Sequence, residues 1–490
     1  MTAAAPTLAQ PSVAAVRAVP AWATPVAVGL LGALVGVAFT WVPYGWSDEV
    51  ATQTLVTRPL GSFLKTVTLH VDAVHATYYL AMRLWATIFG SSIVALRIPS
   101  AIAVGVAAVG VHRLGARLAD RRVALIGALL FLTVPMTMWA AGEARSYSFS
   151  MAAAVWLTVL LIWAADGPRR RWIAYAAAAA ASAYLFLYLL LVVLAHAVTV
   201  LLSARLRRNL IRLLVADGAA ALAAAPLVLL ASREQDQVGW ISPLGPQTLG
   251  QIAAEWFVGS YWYEGVAWLL VIAGVVVLVM RRSGPSSREA LRVLLPWLVL
   301  PTLVLVLGSA LGKPMYVQRY ALMSLPAAAL LMGAAANRLK RASALAVVVL
   351  AALCAPVYLH QRAPLVKGVD WGEDAAFVAQ HRTSQAGFYF ADPSAARAPR
   401  QMLGEYAATF SGMADIGVWR TGAKRHRIWD SEVTPRTAAA RAAGLRTVIV
   451  IGDREPRVEF VRAVAAFEHA GLRVEASGWF PWTRAVVLAR

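Results

Sequence analysis

The sequence predicts a polytopic α-helical membrane protein with a small α/β domain at its C-terminus. Hydrophobic residues make up 60% of the 490 residues and charged residues 14%, and the mean hydropathy is +0.63. Soluble domains carry about 45–50% apolar and about 25% charged residues. The composition also excludes a disordered chain, which would lack this hydrophobicity. A single cysteine, Cys354, excludes a disulfide scaffold.

Candidate membrane spans recur through the first three quarters of the chain. A spanning helix needs about 20 mainly apolar residues, and the sequence offers eleven candidates. In chain order they are 24–44, 96–112, 123–141, 147–165, 172–187, 188–204, 211–231, 265–280, 293–311, 320–336 and 342–359. The apolar run 172–202 is too long for one span, so we interpret it as two spans that turn near Tyr184–Tyr188.

The charge distribution predicts the orientation. A soluble protein with a net charge of +20 would suggest nucleic-acid binding. Here the basic residues cluster between apolar runs, as in membrane proteins whose cytoplasmic loops collect Lys and Arg. With the N-terminus inside, the inner connections hold 19 basic and four acidic residues, and the outer connections before residue 361 hold eight of each. We therefore predict a multi-pass plasma-membrane protein whose C-terminus lies outside. The first apolar run has no small-residue cleavage site and is interpreted as a retained span.

The composition divides the chain into three parts. Residues 1–23 form the predicted cytoplasmic tail, residues 24–360 the membrane domain, and residues 361–490 an extracytoplasmic domain with 18 basic and 13 acidic residues. Strand-like and amphipathic helical patterns in the last part favour an α/β domain. The two predicted strands are Thr447–Gly452 and Ala485–Leu488, and the two predicted helices are Trp371–His381 and Val458–Gly471.

The first outer loop, residues 45–95, is unusually apolar. Apolar side chains recur in it at helical spacing, namely Leu60, Leu64, Val67, Val71, Val74 and Tyr78. This pattern is typical of helices that lie along the membrane surface, here as a platform beneath a lipid-facing site. The alternative is a re-entrant segment or a further span. A crossing at Ala76–Phe89, however, would move the basic cluster 113–122 to the outside.

Five polar residues in this loop are candidates for a site. Asp48 and Glu49 follow the first span, and carboxylates at membrane depth are functional candidates by default. Neighbouring residues do not share a helix face, so one should do chemistry while the other orients or binds. Asp72 and His75 are spaced i, i+3, with Tyr79 one turn beyond. The alternatives are a solvated helix end for the carboxylates and a structural role for the histidine.

Isolated cations in the outer connections run against the charge bias. They are Arg145 in the sequence GEARSY, Lys313 in GKP and Arg319 in QRY. Arginine can grip phosphate oxygens with two hydrogen bonds at the membrane edge. The alternatives are snorkelling at the interface and pairing of Arg145 with Glu143. The outer region 233–264 is rich in aromatic and amide side chains, which suit either carbohydrate or a membrane-interface belt.

Four motifs in order resemble the GT-C superfamily of integral membrane glycosyltransferases. They are WSDEVAT after the first span, HVDAVHATYYLAMRLW in the first outer loop, GEARSYS, and QRYALMSLPAAALL late in the chain. The resemblance covers about residues 24–340. It is closest to the branch of protein O-mannosyltransferases and aminoarabinose transferases, and to actinobacterial mannosyltransferases within it. Two departures are Ala-Thr where several relatives have Pro-Pro, and the lack of a WWDYG-type sequence, which argues against an oligosaccharyltransferase.

The resemblance implies an inverting transfer of a sugar from a polyprenyl-phosphate donor to an acceptor outside the cytoplasm. It implies that Asp48 is the catalytic base and that Arg145 and Arg319 hold the donor phosphate. The residues predicted to contact donor or acceptor are Glu49, Asp72, His75, Tyr79, Glu143, Arg145, Arg319 and Tyr320. Mannose is the leading sugar and arabinofuranose the second. The predicted acceptor is a cell-envelope glycan, glycolipid or protein.

The chemistry agrees with this set of residues. A phosphate-linked sugar already has a good leaving group, so one base and cations on the phosphate suffice. Nucleotide sugars would lie on the wrong side of the membrane, and neither GxGxxG nor a P-loop is present. A divalent cation at Asp48, Glu49, Asp72 and His75 stays open. Two other functions stay open: a transporter or flippase for lipid-linked sugar, and an inactive scaffold with a binding domain.

Overall fold

The computed structural model describes residues 20–69, 72–233, 239–280, 285–391, 398–455 and 458–490. Up to residue 360 it consists of helices joined by short connections. They are α1 (Ala23–Val37), α2 (Ser47–Thr57), α3 (Leu60–Leu69), α4 (Ala76–Phe89), α5 (Ile93–Leu118), α6 (Arg121–Thr133), α7 (Pro135–Ala141), α8 (Tyr147–Ala165), α9 (Arg171–Leu185), α10 (Leu190–Leu202), α11 (Ala204–Arg207), α12 (Leu210–Ser232), α13 (Gln247–Ala254), α14 (Tyr261–Met280), α15 (Pro285–Ala310), α16 (Leu325–Ala336) and α17 (Ser343–His360). Short 3-10 turns lie at Ala73–His75, Leu187–Leu189, Gln318–Ser324 and Asn337–Ala342.

Each of the eleven predicted spans coincides with a helix or with two consecutive helices. In the described part of the chain, six helical segments are long and apolar enough to cross a membrane, or seven if α6 and α7 form one bent span. This confirms a multi-pass membrane protein, whereas the count of eleven stays a prediction because several of the helices are shorter. The long run 172–202 breaks at Phe186, where the backbone is extended, within the predicted turn. The tail up to residue 19, Val71, residues 234–238 and Arg281–Arg282 lie outside the described residues.

Two backbone features shape the membrane domain around the site. Pro135 begins α7 and holds Val134 in an extended conformation, as expected before proline, so α6 and α7 meet at 67°. Helices α1 and α5 cross at glycines. A Cβ on Gly105 would lie 2.4 Å from the carbonyl oxygen of Gly29. Small residues of this kind let membrane helices approach closely.

The first outer loop contains the expected helices, α2, α3 and α4. The side chains of Leu60, Leu64, Leu80, Leu84 and Ile88 are exposed, so α3 and α4 present an apolar face outwards. At 14 residues, α4 is too short to cross a bilayer. A position along the membrane surface stays a prediction, and this outward apolar face supports it.

The C-terminal part is an α/β domain, as predicted. Its strands are β1 (Ala386–Ala391), β2 (Ala414–Asp415), β3 (Val418–Arg420), β4 (Ser431–Glu432), β5 (Thr447–Asp453), β6 (Arg473–Trp479) and β7 (Thr483–Ala489), and its helices are α18 (Trp371–His381), α19 (Leu403–Tyr406), α20 (Gly422–Arg425), α21 (Pro435–Arg441) and α22 (Val458–His469). The main sheet has the order β2-β1-β5-β7-β6, and β3 pairs with β4. Strands β1, β2 and β5 are parallel, and β7 runs antiparallel to β5 and β6.

This domain packs against the first outer loop. One face of the sheet packs on α18 together with Val50 of α2 and Ile93 of α5, and the other face packs on α22. The backbone N–H of Tyr44 donates to the carbonyl oxygen of Pro364 (3.1 Å), and Arg58 donates to the carbonyl oxygen of Ile428 (2.7 Å). The shared core places the domain directly beside the segment that carries Asp48.

Candidate active site

A cavity of about 1410 Å³ lies between the first outer loop, the ends of the membrane helices and the C-terminal domain. Six predicted site residues line it, namely Asp48, Asp72, His75, Arg145, Arg319 and Tyr320. Residues within 398–404 and 428–432 of the C-terminal domain form another part of its wall. The motifs that are far apart in the sequence therefore meet at one cavity.

Asp48 lies in the first turn of α2 and faces this cavity. Its side chain is 29% exposed, and its Oδ2 lies 3.9 Å from Nε of Arg145. A carboxylate in the first turn of a helix is stabilised by the positive end of the helix dipole. An ionised, accessible carboxylate beside a cation can accept a proton from a bound hydroxyl group.

A chain of polar contacts fixes Arg145. Its Nη1 donates to the hydroxyl of Tyr79 (2.9 Å), and this hydroxyl donates to the carboxylate of Asp72. Tyr79 is fully buried and does not line the cavity, and burial raises its pKa well above the usual value. Tyr79 therefore orients the guanidinium from behind and makes no contact in the cavity itself.

Asp72 and His75, spaced i, i+3, were expected on one face of a helix, but a 3-10 turn brings them together instead. Asp72 has a left-handed backbone (φ 67°) and precedes the 3-10 turn that contains His75. His75 Nε2 lies 3.9 Å from Asp72 Oδ1, and Nδ1 has no hydrogen-bond partner among the residues that the structure describes. Burial lowers the pKa of His75 to about 4, so the imidazole is neutral at physiological pH.

Arg319 enters the cavity from the turn that precedes α16. Its Nε donates to the hydroxyl of Tyr147 (2.9 Å), and its guanidinium lies over the ring of Trp240, 4.9 Å from the centroid. Tyr320 packs against Tyr188, with 5.3 Å between ring centroids. Arg145 and Arg319 are thus two cations held at the same cavity as Asp48, and Lys313 lines it as well.

Glu49 does not line the cavity. It is fully buried and accepts hydrogen bonds from Arg97 (2.6 and 2.8 Å), from Lys367 (2.9 Å) and from the backbone N–H of Ala144 (3.0 Å). Burial alone would raise the pKa of Glu49, but the charges and hydrogen bonds of Arg97 and Lys367 outweigh it and lower the pKa to about 2. Helix geometry explains the placement, because neighbouring residues of α2 point in different directions.

Glu143 also lies behind the cavity. Its Oε1 is 2.8 Å from Nζ of Lys367, and its Oε2 accepts a hydrogen bond from Trp46 Nε1 (2.7 Å). Burial raises the pKa of Glu143 against the effect of Lys367. The structure therefore gives no support for direct substrate contacts by Glu49, Tyr79 or Glu143. The alternative given above, a pairing of Arg145 with Glu143, is not found among the described residues, where Glu143 pairs with Lys367.

Several residues at the site had no sequence-based prediction. Arg97 is a buried arginine at the start of a span, and its position inside an apolar run was the available signal. Lys367 comes from the connection to the C-terminal domain, and no local pattern marks it. Arg400, Gln401 and Glu432 line the cavity from that domain, and their sequence surroundings resemble ordinary loop sequence.

Two of the four candidate ligands for a divalent cation are engaged by other side chains. Glu49 is occupied by Arg97 and Lys367, and Asp72 by Tyr79. In the described ranges, no group of three or more His, Cys, Asp or Glu residues is placed to hold a metal ion. These side chains do not fit a divalent cation as they stand.

The chain is similar to known proteins in part of its sequence and in its fold. Residues 76–231 match the family described as dolichyl-phosphate-mannose-protein mannosyltransferase. No curated protein sequence gives a significant match. Among solved structures, the chain is similar to ArnT from Cupriavidus metallidurans in the apo state, with 15% identity, a TM-score of 0.61, and coverage of 95% of this chain and 97% of that chain.

Two further structures are similar. ArnT from the same organism bound to undecaprenyl phosphate gives 12% identity, a TM-score of 0.57 and the same coverage. An oligosaccharyltransferase from Archaeoglobus fulgidus gives 13% identity, a TM-score of 0.49, and coverage of 93% of this chain and 72% of that chain. The family match and the ArnT fold confirm the predicted resemblance to GT-C glycosyltransferases and the predicted fold class.

Proposed function

We propose that this chain, a membrane glycosyltransferase of the GT-C type, transfers a sugar with inversion from a polyprenyl-phosphate donor to an acceptor on the outer face of the plasma membrane. Mannose is the favoured sugar and arabinofuranose the second. The acceptor class is a cell-envelope glycan, glycolipid or protein. The observation that carries the proposal is the common cavity of Asp48, Arg145 and Arg319.

The three side chains divide the reaction between them. Asp48 accepts the proton of the acceptor hydroxyl while the oxygen of that hydroxyl forms a bond to the anomeric carbon. The bond from that carbon to the phosphate oxygen breaks on the opposite side, and polyprenyl phosphate leaves with the electron pair. Arg145 and Arg319 balance the charge that this phosphate gains. No separate acid is required, because the phosphate is a good leaving group.

The donor class is supported by the comparisons and by the cavity wall. The matched family is described by its dolichyl-phosphate-mannose donor, and the ArnT structure with a TM-score of 0.57 holds undecaprenyl phosphate. In this chain, Phe186, Leu187 and Val228 line the same cavity as the two arginines. An apolar surface beside two cations suits a lipid phosphate, whose chain and head group need different surroundings.

The buried cluster of Glu49, Arg97, Lys367 and Glu143 positions Asp48 and Arg145 relative to each other. Glu49 accepts the backbone N–H of Ala144, and Thr52 donates to the carbonyl oxygen of the same residue (2.9 Å). These contacts tie the start of α2 to the connection that carries Arg145. We assign Glu49 and Glu143 to this positioning role, which replaces their expected contact with donor or acceptor.

The outward orientation rests on the charge distribution, and contacts between the basic connections support it. Asp166 pairs with Arg117 (3.4 Å) and with Arg205, and Arg122 donates to the carbonyl oxygen of Lys340. Four of the predicted cytoplasmic connections therefore contact one another. None of these residues lines the cavity that contains Asp48.

The test is the Asp48→Asn variant in purified, nanodisc-embedded protein with polyprenyl-phosphate [³H]mannose and envelope acceptors. Because a general base contributes about 10²–10⁴-fold, transfer should fall at least about 100-fold, while donor binding stays within about threefold. The matched control is Glu468→Gln on the exposed surface of α22, which should keep full activity. Full activity in Asp48→Asn would refute the proposal. Wild-type protein that moves the donor between leaflets without cleaving it would favour a transporter.

A further inference from the structure

The wall of the cavity that comes from the C-terminal domain carries an excess of negative charge. Arg400 is buried there and is surrounded by three carboxylates. It pairs with Asp415, with Asp430 at 3.2 Å and with Glu432 at 3.4 Å. One cation thus faces three acids, so Arg400 is already neutralised and is not free to hold a phosphate. Arg145 and Arg319 line the same cavity from the membrane domain.

Two polar side chains on this wall each have an oxygen without a hydrogen-bond donor in the described part of the chain. Gln401 is 8% exposed and lines the cavity, and its Oε1 accepts no hydrogen bond within the described segments. The side chain of Glu432 is 2% exposed, and its Oε2 likewise accepts no hydrogen bond there. Buried acceptors without donors are unfavourable. Both oxygens are covered in this structure, and a rotation of each side chain towards the cavity would let it accept hydroxyl donors of a ligand.

An aromatic ring completes this surface. Trp429 is half-buried and lines the cavity between Ile428 and Asp430. A tryptophan provides a flat apolar face with a polar edge. Such a face, with amide and carboxylate acceptors beside it, matches a sugar ring, which offers an apolar face of C–H groups and a rim of hydroxyl donors.

We propose that Gln401, Trp429 and Glu432 form the acceptor subsite, and that this subsite selects a hydroxyl-rich acceptor without negative charge. The inference rests on the proposed function, which places the donor phosphate at Arg145 and Arg319. Hydroxyl groups of the acceptor donate to Gln401 and Glu432 while its ring stacks on Trp429. An acceptor that carries phosphate groups is repelled by the uncompensated carboxylates of this wall.

The experiment uses full-length protein in nanodiscs with two probes, n-octyl α-D-mannopyranoside and its 6-phosphate. Saturation-transfer NMR measures binding of each probe without donor, and transfer from polyprenyl-phosphate [³H]mannose gives the acceptor KM. The wild type should bind and use the neutral glycoside at least tenfold better than the phosphate. Trp429→Ala and Gln401→Ala should raise the KM for the neutral glycoside at least fivefold. At pH 8, above the pKa of about 7 to which burial raises Glu432, Glu432→Gln should shrink the preference for the neutral probe at least threefold.

Controls and a separate readout distinguish this inference from the proposed function. Trp419→Ala and Glu459→Gln change exposed residues of the same domain outside the cavity and should leave both KM values unchanged. Release of [³H]mannose from the donor by water, measured in the wild type without any acceptor, reports donor cleavage separately from acceptor binding. The inference is overturned if the variants bind the neutral glycoside like the wild type, if the wild type binds neither probe, or if it prefers the phosphate. The proposed function fails separately, if the wild type never cleaves the donor.

Discussion

Replacing Lys367 with methionine should destabilise the protein more than any exposed substitution. The ammonium group of Lys367 lies 2.9 Å from Glu49 and 2.8 Å from Glu143, and all three side chains are at least nine-tenths buried. With Arg97, the cluster holds two positive and two negative charges. Methionine keeps the length of the side chain but leaves one buried carboxylate without its cation.

The expected loss follows from this geometry. Removing one partner of a buried ion pair is unfavourable by about 3–5 kcal/mol, because the remaining charge has left water without compensation. For a chain of 490 residues, with an unfolding entropy of about 2.1 cal/mol/K per residue, this corresponds to a fall in Tm of about 3–5 °C. The loss should persist across neutral pH. The pKa of Glu49 is lowered from 4.5 to about 2, so its contribution to stability is present above about pH 4.5 and disappears only as the pH falls through 2.

The assay uses the single cysteine of the chain. Cys354 is buried in α17, so a thiol-reactive fluorogenic dye reports unfolding. The exposed Lys424→Met variant of α20 serves as the control. Adding Glu143→Gln to Lys367→Met removes the unpaired charge and should recover at least half of the loss. A Tm within 1 °C of the wild type for Lys367→Met, or strict additivity of the two changes, would refute the role assigned to this cluster.

Three further outcomes are expected. Arg319→Lys keeps the charge but loses the planar fork beside Tyr147, so the KM for the donor should rise about tenfold, whereas an unchanged KM would exclude a phosphate contact. Burial raises the pKa of Glu432 from 4.5 to about 7, so the stability it contributes is full below pH 4.5 and is lost as the pH rises through 7. Thermal unfolding should therefore show Glu432→Gln as the more stable form at pH 8, by up to about 3 kcal/mol, and an equal Tm at pH 8 would contradict this. Because His75 has a pKa of about 4, His75→Asn should change the rate but leave the shape of the pH–activity curve between pH 5.5 and 8; loss of a limb near pH 6.5 would contradict it.

Local patterns predicted the helices and the cavity residues of the membrane domain well. Apolar runs and basic clusters are properties of short stretches, so each predicted span coincides with helical structure. Asp48 could be singled out because it follows a span directly, and Arg145 and Arg319 because they oppose the charge bias. The fold and these three positions needed no knowledge of distant contacts.

The partners of these residues could not be predicted in the same way. Lys367 meets Glu49 across 318 residues of chain, and no local pattern encodes such a contact. Asp72 was expected on a helix, but its left-handed backbone starts a 3-10 turn instead. Strand β6 was not predicted because its residues are mostly exposed, so the alternation that marks a half-buried strand is weak.

The cavity lies between the membrane domain and the C-terminal domain, and this has a consequence for how such proteins diversify. One side is built by the first outer loop and the membrane helices, the other by residues 398–432. Sequence drift on one side can alter which molecule is recognised while the opposite side stays intact. Under the proposed function, a lineage can thus keep one lipid-linked donor and change its acceptor. A grafted C-terminal domain would also have to supply a cation in the place of Lys367.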